Sequence, residues 1–195
     1  MPLNIPNILT LLRLALIPLL ILAYYWDHTW RPAVVTGIFI LAGFTDWLDG
    51  YLARRLKQTS PFGAFMDPVA DKLIVVMSLV LLVANPKITN AVYDGRLFTI
   101  MIIIIVGREI AISALREWMA ELGQRANVKV SSIGKLKTVM QMTAIGFLLY
   151  GQPLFGLPIV TIGEILLYIA AVLTLWSMTI YMIAAWPALM GTGDK

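Results

Sequence analysis

Long apolar segments recur along this chain of 195 residues. Crossing the hydrocarbon core of a bilayer takes about 20 mostly apolar residues in a helix. Six segments can supply such helices, at residues 8–26, 33–54, 67–85, 96–118, 135–151 and 159–184. Charged residues make up only 13% of the chain, against about 25% in soluble domains. We therefore predict an all-α integral membrane protein, in which residues 1–195 form a single domain.

Three of these segments have ionisable residues where a transmembrane helix would be apolar. Their charge-free runs, Pro32–Thr45, Leu73–Pro86 and Leu97–Gly107, are each too short to cross a membrane alone. The spans must be completed by turns that contain Asp46 and Asp49, Asp67 and Asp71, or Arg108 and Glu109. Ionisable groups at that depth cost several kcal/mol unless they face a polar cavity or one another. The pattern therefore predicts a buried polar site.

Lysine and arginine are distributed unevenly between the two predicted sides of the membrane. If both termini share one side with the loops at 54–66 and 119–134, only Arg31, Lys87 and Arg96 of the 15 basic residues lie on the other side. Basic residues concentrate on the cytoplasmic side of membrane proteins. We therefore expect both termini and the aspartates to face the cytoplasm.

Eight residues between positions 46 and 71 follow the pattern DxxDGxxAR, eight residues, GxxxDxxxD. They are Asp46, Asp49, Gly50, Ala53, Arg54, Gly63, Asp67 and Asp71. The aspartates of each pair are three or four residues apart, so each pair shares one face of a helix. Four carboxylates around one point repel unless cations neutralise them. Mg²⁺ takes oxygen ligands and bridges phosphates, and two ions together can assist phosphoryl transfer. The motif predicts a metal-dependent phosphotransferase, with Mn²⁺ as the other possible metal.

The small residues of the motif indicate a nucleotide site. Gly50 and Ala53 leave room for a flat group against the helix, and the guanidinium of Arg54 can bind phosphate. We expect a loop at residues 55–62, in which Ser60 offers a hydroxyl and Gly63 follows with an exposed amide. Asp67 precedes Pro68, as an N-cap residue precedes proline at the first helical position. We therefore predict that the third helix starts at its acids.

The motif resembles the signature of the CDP-alcohol phosphotransferase family at every position. The likeness continues in NIPNILTLLR at residues 4–13 and in GREIAISALREWMAE at residues 107–121, which resemble the bacterial members that use a glycerol phosphate acceptor. The resemblance implies transfer of the phosphatidyl group from CDP-diacylglycerol to sn-glycerol 3-phosphate, with release of CMP. It also implies six transmembrane helices, a homodimer, and a location in the bacterial inner membrane with the active site facing the cytoplasm. No nucleic-acid partner is expected.

The resemblance also assigns roles to individual residues. Asp46, Asp49 and Asp67 are expected to bind one Mg²⁺, and Asp46, Asp67 and Asp71 a second. Asp71 is the expected general base. The expected contacts of the CDP-lipid are Asn7, Thr10, Asp49, Gly50, Ala53, Arg54, Ser60 and Gly63.

A phosphorylated acceptor needs an anion site of its own. Arg108, Arg116 and Lys135, with Lys137 as a further candidate, lie at the cytoplasmic ends of the fourth and fifth predicted helices. We expect them to bind the acceptor phosphate. The alternative is that they are positive-inside anchors or partners of Glu109 and Glu117.

Two other functions use intramembrane acids. Ion-coupled transporters favour inverted repeats and broken helices near the midplane, whereas these acids cluster at one end. Prenyl-transferring enzymes have aspartate motifs of different spacing that lack DGxxAR. Within the family that this sequence resembles, the acceptor could instead be serine, inositol phosphate or phosphatidylglycerol.

Overall fold

The fold is a bundle of long α-helices. The computed structural model describes residues 5–56, 61–121 and 132–190. The helices in these ranges are α1 (Ile5–Tyr24), α2 (Arg31–Leu56), α3 (Pro61–Val83), α4 (Pro86–Thr89), α5 (Gly95–Glu121), α6 (Ser132–Tyr150) and α7 (Ile159–Leu189). Each of the six predicted segments corresponds to one long helix, and no strand is assigned within the described ranges. The all-α prediction is confirmed.

Four of the described helices can cross a membrane by their length and composition. The qualifying stretches are Asn7–Tyr24, Arg31–Leu52, Gly95–Met119 and Ile159–Trp186. Helix α6 has a shorter apolar stretch, Leu136–Tyr150, and α3 carries Asp67, Asp71 and Lys72 in its first half. The chain is therefore a multi-pass membrane protein, and six spans remain a prediction.

The predicted start of the third helix is wrong. Helix α3 begins at Pro61, so Asp67 and Pro68 lie inside it rather than at its N-terminus. Pro61 takes the first helical position, where proline loses no hydrogen bond, and the later Pro68 removes only one backbone donor from a helix already formed. The predicted loop at 55–62 is also too long, because α2 continues to Leu56. Gly63 consequently belongs to the first turn of α3 instead of a loop.

The packing places α1 across the pair of helices that carry the aspartates. Helix α1 contacts α2 and α3, α6 contacts α2, α3 and α7, and α5 packs on α7. Between α6 and α7 the backbones approach closely, because a Cβ added at Gly163 would lie 3.0 Å from Leu148 Cγ and 3.2 Å from the Ala144 oxygen. Small residues at such interfaces allow the close packing that associates helices in lipid. The result is a bundle whose α1, α2 and α3 meet at the acids.

Candidate active site

An arginine from α1 lies between the aspartates of α2 and α3. The Arg13 side chain is completely buried, and its Nη1 lies 3.2 Å from Asp46 Oδ1. The same nitrogen donates to Asp71, and Nη2 donates to Asp49. Three carboxylates from two helices therefore converge on one guanidinium.

The polar face of α1 continues one turn before Arg13. Thr10 and Asn7 are 1% and 2% exposed, and the Thr10 hydroxyl donates to Asp67 Oδ1 at 2.5 Å. Residues spaced by three share one face of a helix, so Asn7, Thr10 and Arg13 all point toward α2 and α3. In the sequence, Arg13 counted among the basic residues of the cytoplasmic side and closed the NIPNILTLLR stretch, and its contact with the acids was not predicted. Its spacing of three from Thr10 was the available signal.

The donors at this site have the chemistry that a divalent cation requires. Carboxylate and hydroxyl oxygens are the preferred ligands of Mg²⁺, and the convergence of Asp46, Asp49 and Asp71 on a guanidinium places negative charge around one cation position. Within the described ranges, however, no three acidic or histidine side chains are already grouped closely enough to hold a metal ion. The residues fit a metal ion by chemistry, and binding requires a rearrangement around Arg13.

A cavity of about 1120 Å³ opens between α2, α3 and α6. Asp46, Asp67 and Asp71 line it together with Arg13. The rest of its wall is mostly apolar and extends to the C-terminal end of α6 and the N-terminal end of α7. The apolar wall includes Phe39, Ile40, Ile74, Val75, Met142, Phe147, Tyr150 and Leu154. One continuous space thus joins a charged end to an apolar body.

Basic side chains from α5 and α6 line the same cavity. Arg116 is among them, and no carboxylate of the described residues lies within ion-pair distance of it. Lys137 is buried, lines the cavity and lies 3.3 Å from Glu109 Oε2. Lys72 also lines it and donates to the Ser113 hydroxyl. Cations therefore face the aspartates across one space.

The remaining candidates for the acceptor site are placed differently. The buried Arg108 donates to Glu109 Oε2 at 3.2 Å and to the Ser177 hydroxyl of α7 at 3.0 Å. It is not among the residues that line the cavity. The Lys135 side chain lies outside the described part of the structure. Of the three residues first expected to bind the acceptor phosphate, Arg116 is the one that the structure brings to the cavity.

The other expected nucleotide contacts are only partly described. Gly50 follows Asp49 on α2, and Gly63 is buried in the first turn of α3. The backbones of Ala53 and Arg54 continue α2, but their side chains lie outside the described residues, as does all of Ser60.

Comparison with known proteins identifies the family. The family model for CDP-alcohol phosphatidyltransferases matches residues 3–176. A Pseudomonas fluorescens protein is 48% identical over 98% of this chain and 95% of its own length. A Yersinia pestis protein is 48% identical over 97% of this chain and 99% of its own length. A Pectobacterium atrosepticum protein is 50% identical over 95% of this chain and 96% of its own length. All three are named CDP-diacylglycerol–glycerol-3-phosphate 3-phosphatidyltransferase. The chain therefore belongs to the CDP-alcohol phosphatidyltransferase family, which confirms the resemblance of its aspartate motif.

Proposed function

We propose that this protein transfers the phosphatidyl group of CDP-diacylglycerol to sn-glycerol 3-phosphate, giving phosphatidylglycerol phosphate and CMP. The observation that carries the proposal is the cavity in which aspartates and basic side chains share one end and apolar residues form the body. An enzyme that joins a water-soluble phosphate to a lipid needs both environments in contact. The relatives named for this reaction match nearly the whole chain, which supports the same substrates.

The lipid substrate is proposed to lie along the length of the cavity. Its acyl chains would contact the wall between Phe39 and Phe147, because the side chains of that wall are mostly apolar. Its cytidine diphosphate would lie at the charged end, near Gly50 and Arg54. A diphosphate at this end could accept hydrogen bonds from the Arg54 guanidinium, whose planar donors match phosphate oxygens.

The aspartates are proposed to hold two Mg²⁺ ions, with Mn²⁺ as a substitute. Asp46, Asp49 and Asp67 would bind one ion, and Asp46, Asp67 and Asp71 the other. When bound, such ions neutralise charge on the diphosphate and on the attacking and leaving oxygens. The oxygen-only donor set supports this choice.

Asp71 is proposed as the general base. Its carboxylate accepts the proton of the acceptor's C1 hydroxyl as that oxygen attacks the phosphorus that carries the diacylglycerol. The new P–O bond joins glycerol phosphate to the phosphatidyl group, while the bond between the attacked phosphorus and the bridging oxygen of the diphosphate breaks. CMP leaves with that oxygen and the electron pair. The position of Asp71 at the cavity supports this role, since a base must reach the reacting hydroxyl.

The acceptor phosphate is proposed to bind Arg116 and Lys137. Both line the cavity near the aspartates, and Arg116 is not already engaged by a carboxylate of the described residues. A neutral or zwitterionic alcohol such as serine would have no use for two cations at this position. Arg108 would support the site through Glu109, the carboxylate that it shares with Lys137.

The site is proposed to face the cytoplasm of a bacterial inner membrane. The basic residues concentrated on that side support this orientation, and the relatives named above come from bacteria. A homodimer is proposed from the family resemblance alone.

An acceptor screen tests the proposed function. Purified protein in detergent receives CDP-diacylglycerol, Mg²⁺ and one alcohol at a time, and released CMP is measured. We expect release with sn-glycerol 3-phosphate only. Release with serine, inositol phosphate or phosphatidylglycerol instead would contradict the assignment and establish the alternative acceptor.

A further inference from the structure

Arg13 neutralises the same carboxylates that are proposed to bind metal. Its two terminal nitrogens contact Asp46, Asp49 and Asp71. Its buried Nε has no hydrogen-bond partner among the described residues. The Nε of Arg108 is likewise without a partner, so what distinguishes Arg13 is its position among three carboxylates that suit a divalent cation.

A metal ion and the Arg13 guanidinium cannot share the point where these carboxylates meet. Both are cations, and like charges this close repel strongly, above all when one of them is a fully buried guanidinium. Metal binding at Asp46, Asp49 and Asp71 therefore requires the guanidinium to move away. The displaced guanidinium then needs a new anion, because a buried charge without a partner is strongly unfavourable.

The cavity supplies a place for that anion without further opening. Arg13 already borders the cavity, beside Asp46 and Asp71. The group that arrives there with the lipid substrate is a diphosphate, whose oxygens match the fork of a guanidinium. Arg13 can thus exchange a carboxylate partner for a phosphate partner within one space.

We propose that Arg13 is a displaceable internal counter-ion. It holds the aspartates together before metal binds, and on metal loading it moves to the diphosphate of the CDP-lipid. The inference rests on the proposed function, since it takes a divalent cation and a cytidine diphosphate as the ligands. It adds that the two ligands bind cooperatively through Arg13, because each favours the state in which the guanidinium has left the aspartates.

Mn²⁺ titration followed by electron paramagnetic resonance tests the exchange without turnover. The proteins are wild type, Arg13→Gln, Arg13→Lys and the control Arg96→Gln, which removes an exposed arginine on the opposite side. Each is titrated with and without CDP. Removing the competing cation should tighten Mn²⁺ binding by Arg13→Gln ~10-fold without CDP, since a site occupied by Arg13 lowers apparent affinity in proportion to its occupancy. CDP should tighten Mn²⁺ binding less in Arg13→Gln than in the wild type, and Arg96→Gln should match the wild type.

The results separate this inference from the proposed function. Equal or weaker Mn²⁺ binding by Arg13→Gln, or an undiminished effect of CDP, overturns the role of Arg13 but leaves the transferase proposal standing. A wild-type protein that binds no Mn²⁺ overturns both. Should Arg13→Gln fail to fold, Arg13→Lys tests the same inference. The lysine ammonium keeps the charge but lacks the fork with which the guanidinium reaches three carboxylates. The Mn²⁺ affinity of Arg13→Lys should therefore exceed that of the wild type. An unchanged affinity in Arg13→Lys overturns the inference.

Discussion

Carboxylates lie at both ends of the helix bundle, and the two sites are stabilised in different ways. At one end Arg13 contacts Asp46, Asp49 and Asp71. At the other, Glu164 is 4% exposed and accepts hydrogen bonds from the Tyr93 backbone N–H at 3.1 Å and the Tyr168 hydroxyl at 2.7 Å. The aspartates border the large cavity, whereas Glu164 does not. The aspartates have a charged partner, Arg13, and lie beside a cavity. Glu164 has neutral hydrogen-bond donors and does not line that cavity.

This difference separates a candidate binding site from a structural contact. The donors of Glu164 belong to its own helix and to the segment before α5, so the bonds fix α7 against that segment. The three aspartates share a single positive charge, which leaves net negative charge for an incoming cation. Burial of an acid alone does not indicate function; the partner and the adjoining cavity distinguish the two sites.

The largest expected effect comes from neutralising an aspartate at the cavity. Asp71→Asn should lower kcat by about 10²–10⁴-fold, since the amide cannot accept the proton of the attacking hydroxyl. Asp46→Asn should abolish turnover by removing a ligand shared by both proposed metal sites. CMP release under saturating substrates measures both. Glu164→Gln, the same change at the other end, should retain most of its kcat per folded protein; equal losses at both ends would remove the distinction.

The basic residues should affect the acceptor more than the lipid. A charge-assisted hydrogen bond contributes about 1.5–3 kcal/mol, so Arg116→Ala and Lys137→Ala should each raise the KM for glycerol 3-phosphate by about 10–100-fold. The KM for CDP-diacylglycerol should change less. Initial rates at varied glycerol 3-phosphate give the values, with Arg96→Ala as the exposed control. An unchanged acceptor KM in both variants would argue against the proposed phosphate site.

The Glu164 site should respond in stability rather than in catalysis. Glu164→Gln turns one acceptor oxygen into a donor facing the Tyr93 N–H, and an unsatisfied buried group costs about 1–3 kcal/mol. The thermal midpoint in detergent should fall, and Tyr168→Phe, which loses one bond to the same carboxylate, should lower it less. Unchanged midpoints in both variants would show that these bonds are not needed to hold α7.

The smallest expected effect concerns the helix interface beside Glu164. Gly163→Ala adds a methyl group 3.0 Å from Leu148 Cγ and 3.1 Å from Phe147 Cβ, and such overpacking costs about 1–3 kcal/mol. These atoms lie next to the backbone and a third contact is the Ala144 carbonyl oxygen at 3.2 Å, so α6 and α7 must shift slightly to admit the methyl group. Gly156→Ala, a site where nothing lies within 4 Å of the added methyl group but the backbone φ is 76°, separates strain from crowding. Equal thermal midpoints for wild type and Gly163→Ala would contradict close packing at this interface.

Local patterns predicted the helices well and their ends less well. The apolar segments gave the six long helices because such a segment in lipid has few alternatives to a helix. The start of α3 was misplaced, since Ser60-Pro61 and Asp67-Pro68 carry the same type of start signal. The structure uses the earlier of the two signals, so that α3 starts at Pro61.

At the candidate site, too, contacts within one helix were predictable and contacts between distant helices were not. Asp46 and Asp49 form one predicted pair and Asp67 and Asp71 the other, because spacings of three and four return to one face of a helix. The pairing of Arg108 with Glu109 was the stated alternative to an acceptor site, and it is confirmed. The contact of Arg108 with Ser177 was not predictable, since Ser177 lies on α7, far along the chain.

By itself, the sequence determined the membrane setting, the helical fold class, the aspartate motif and the family. These depend on composition and on spacings within one helix, which a linear pattern records. Only the tertiary structure decided that Arg13 lies among the aspartates, that Lys137 and Arg116 share their cavity, and that Arg108 does not line it. Those facts depend on how α1, α5, α6 and α7 pack against one another, and contacts between distant segments leave no periodic signal in the chain.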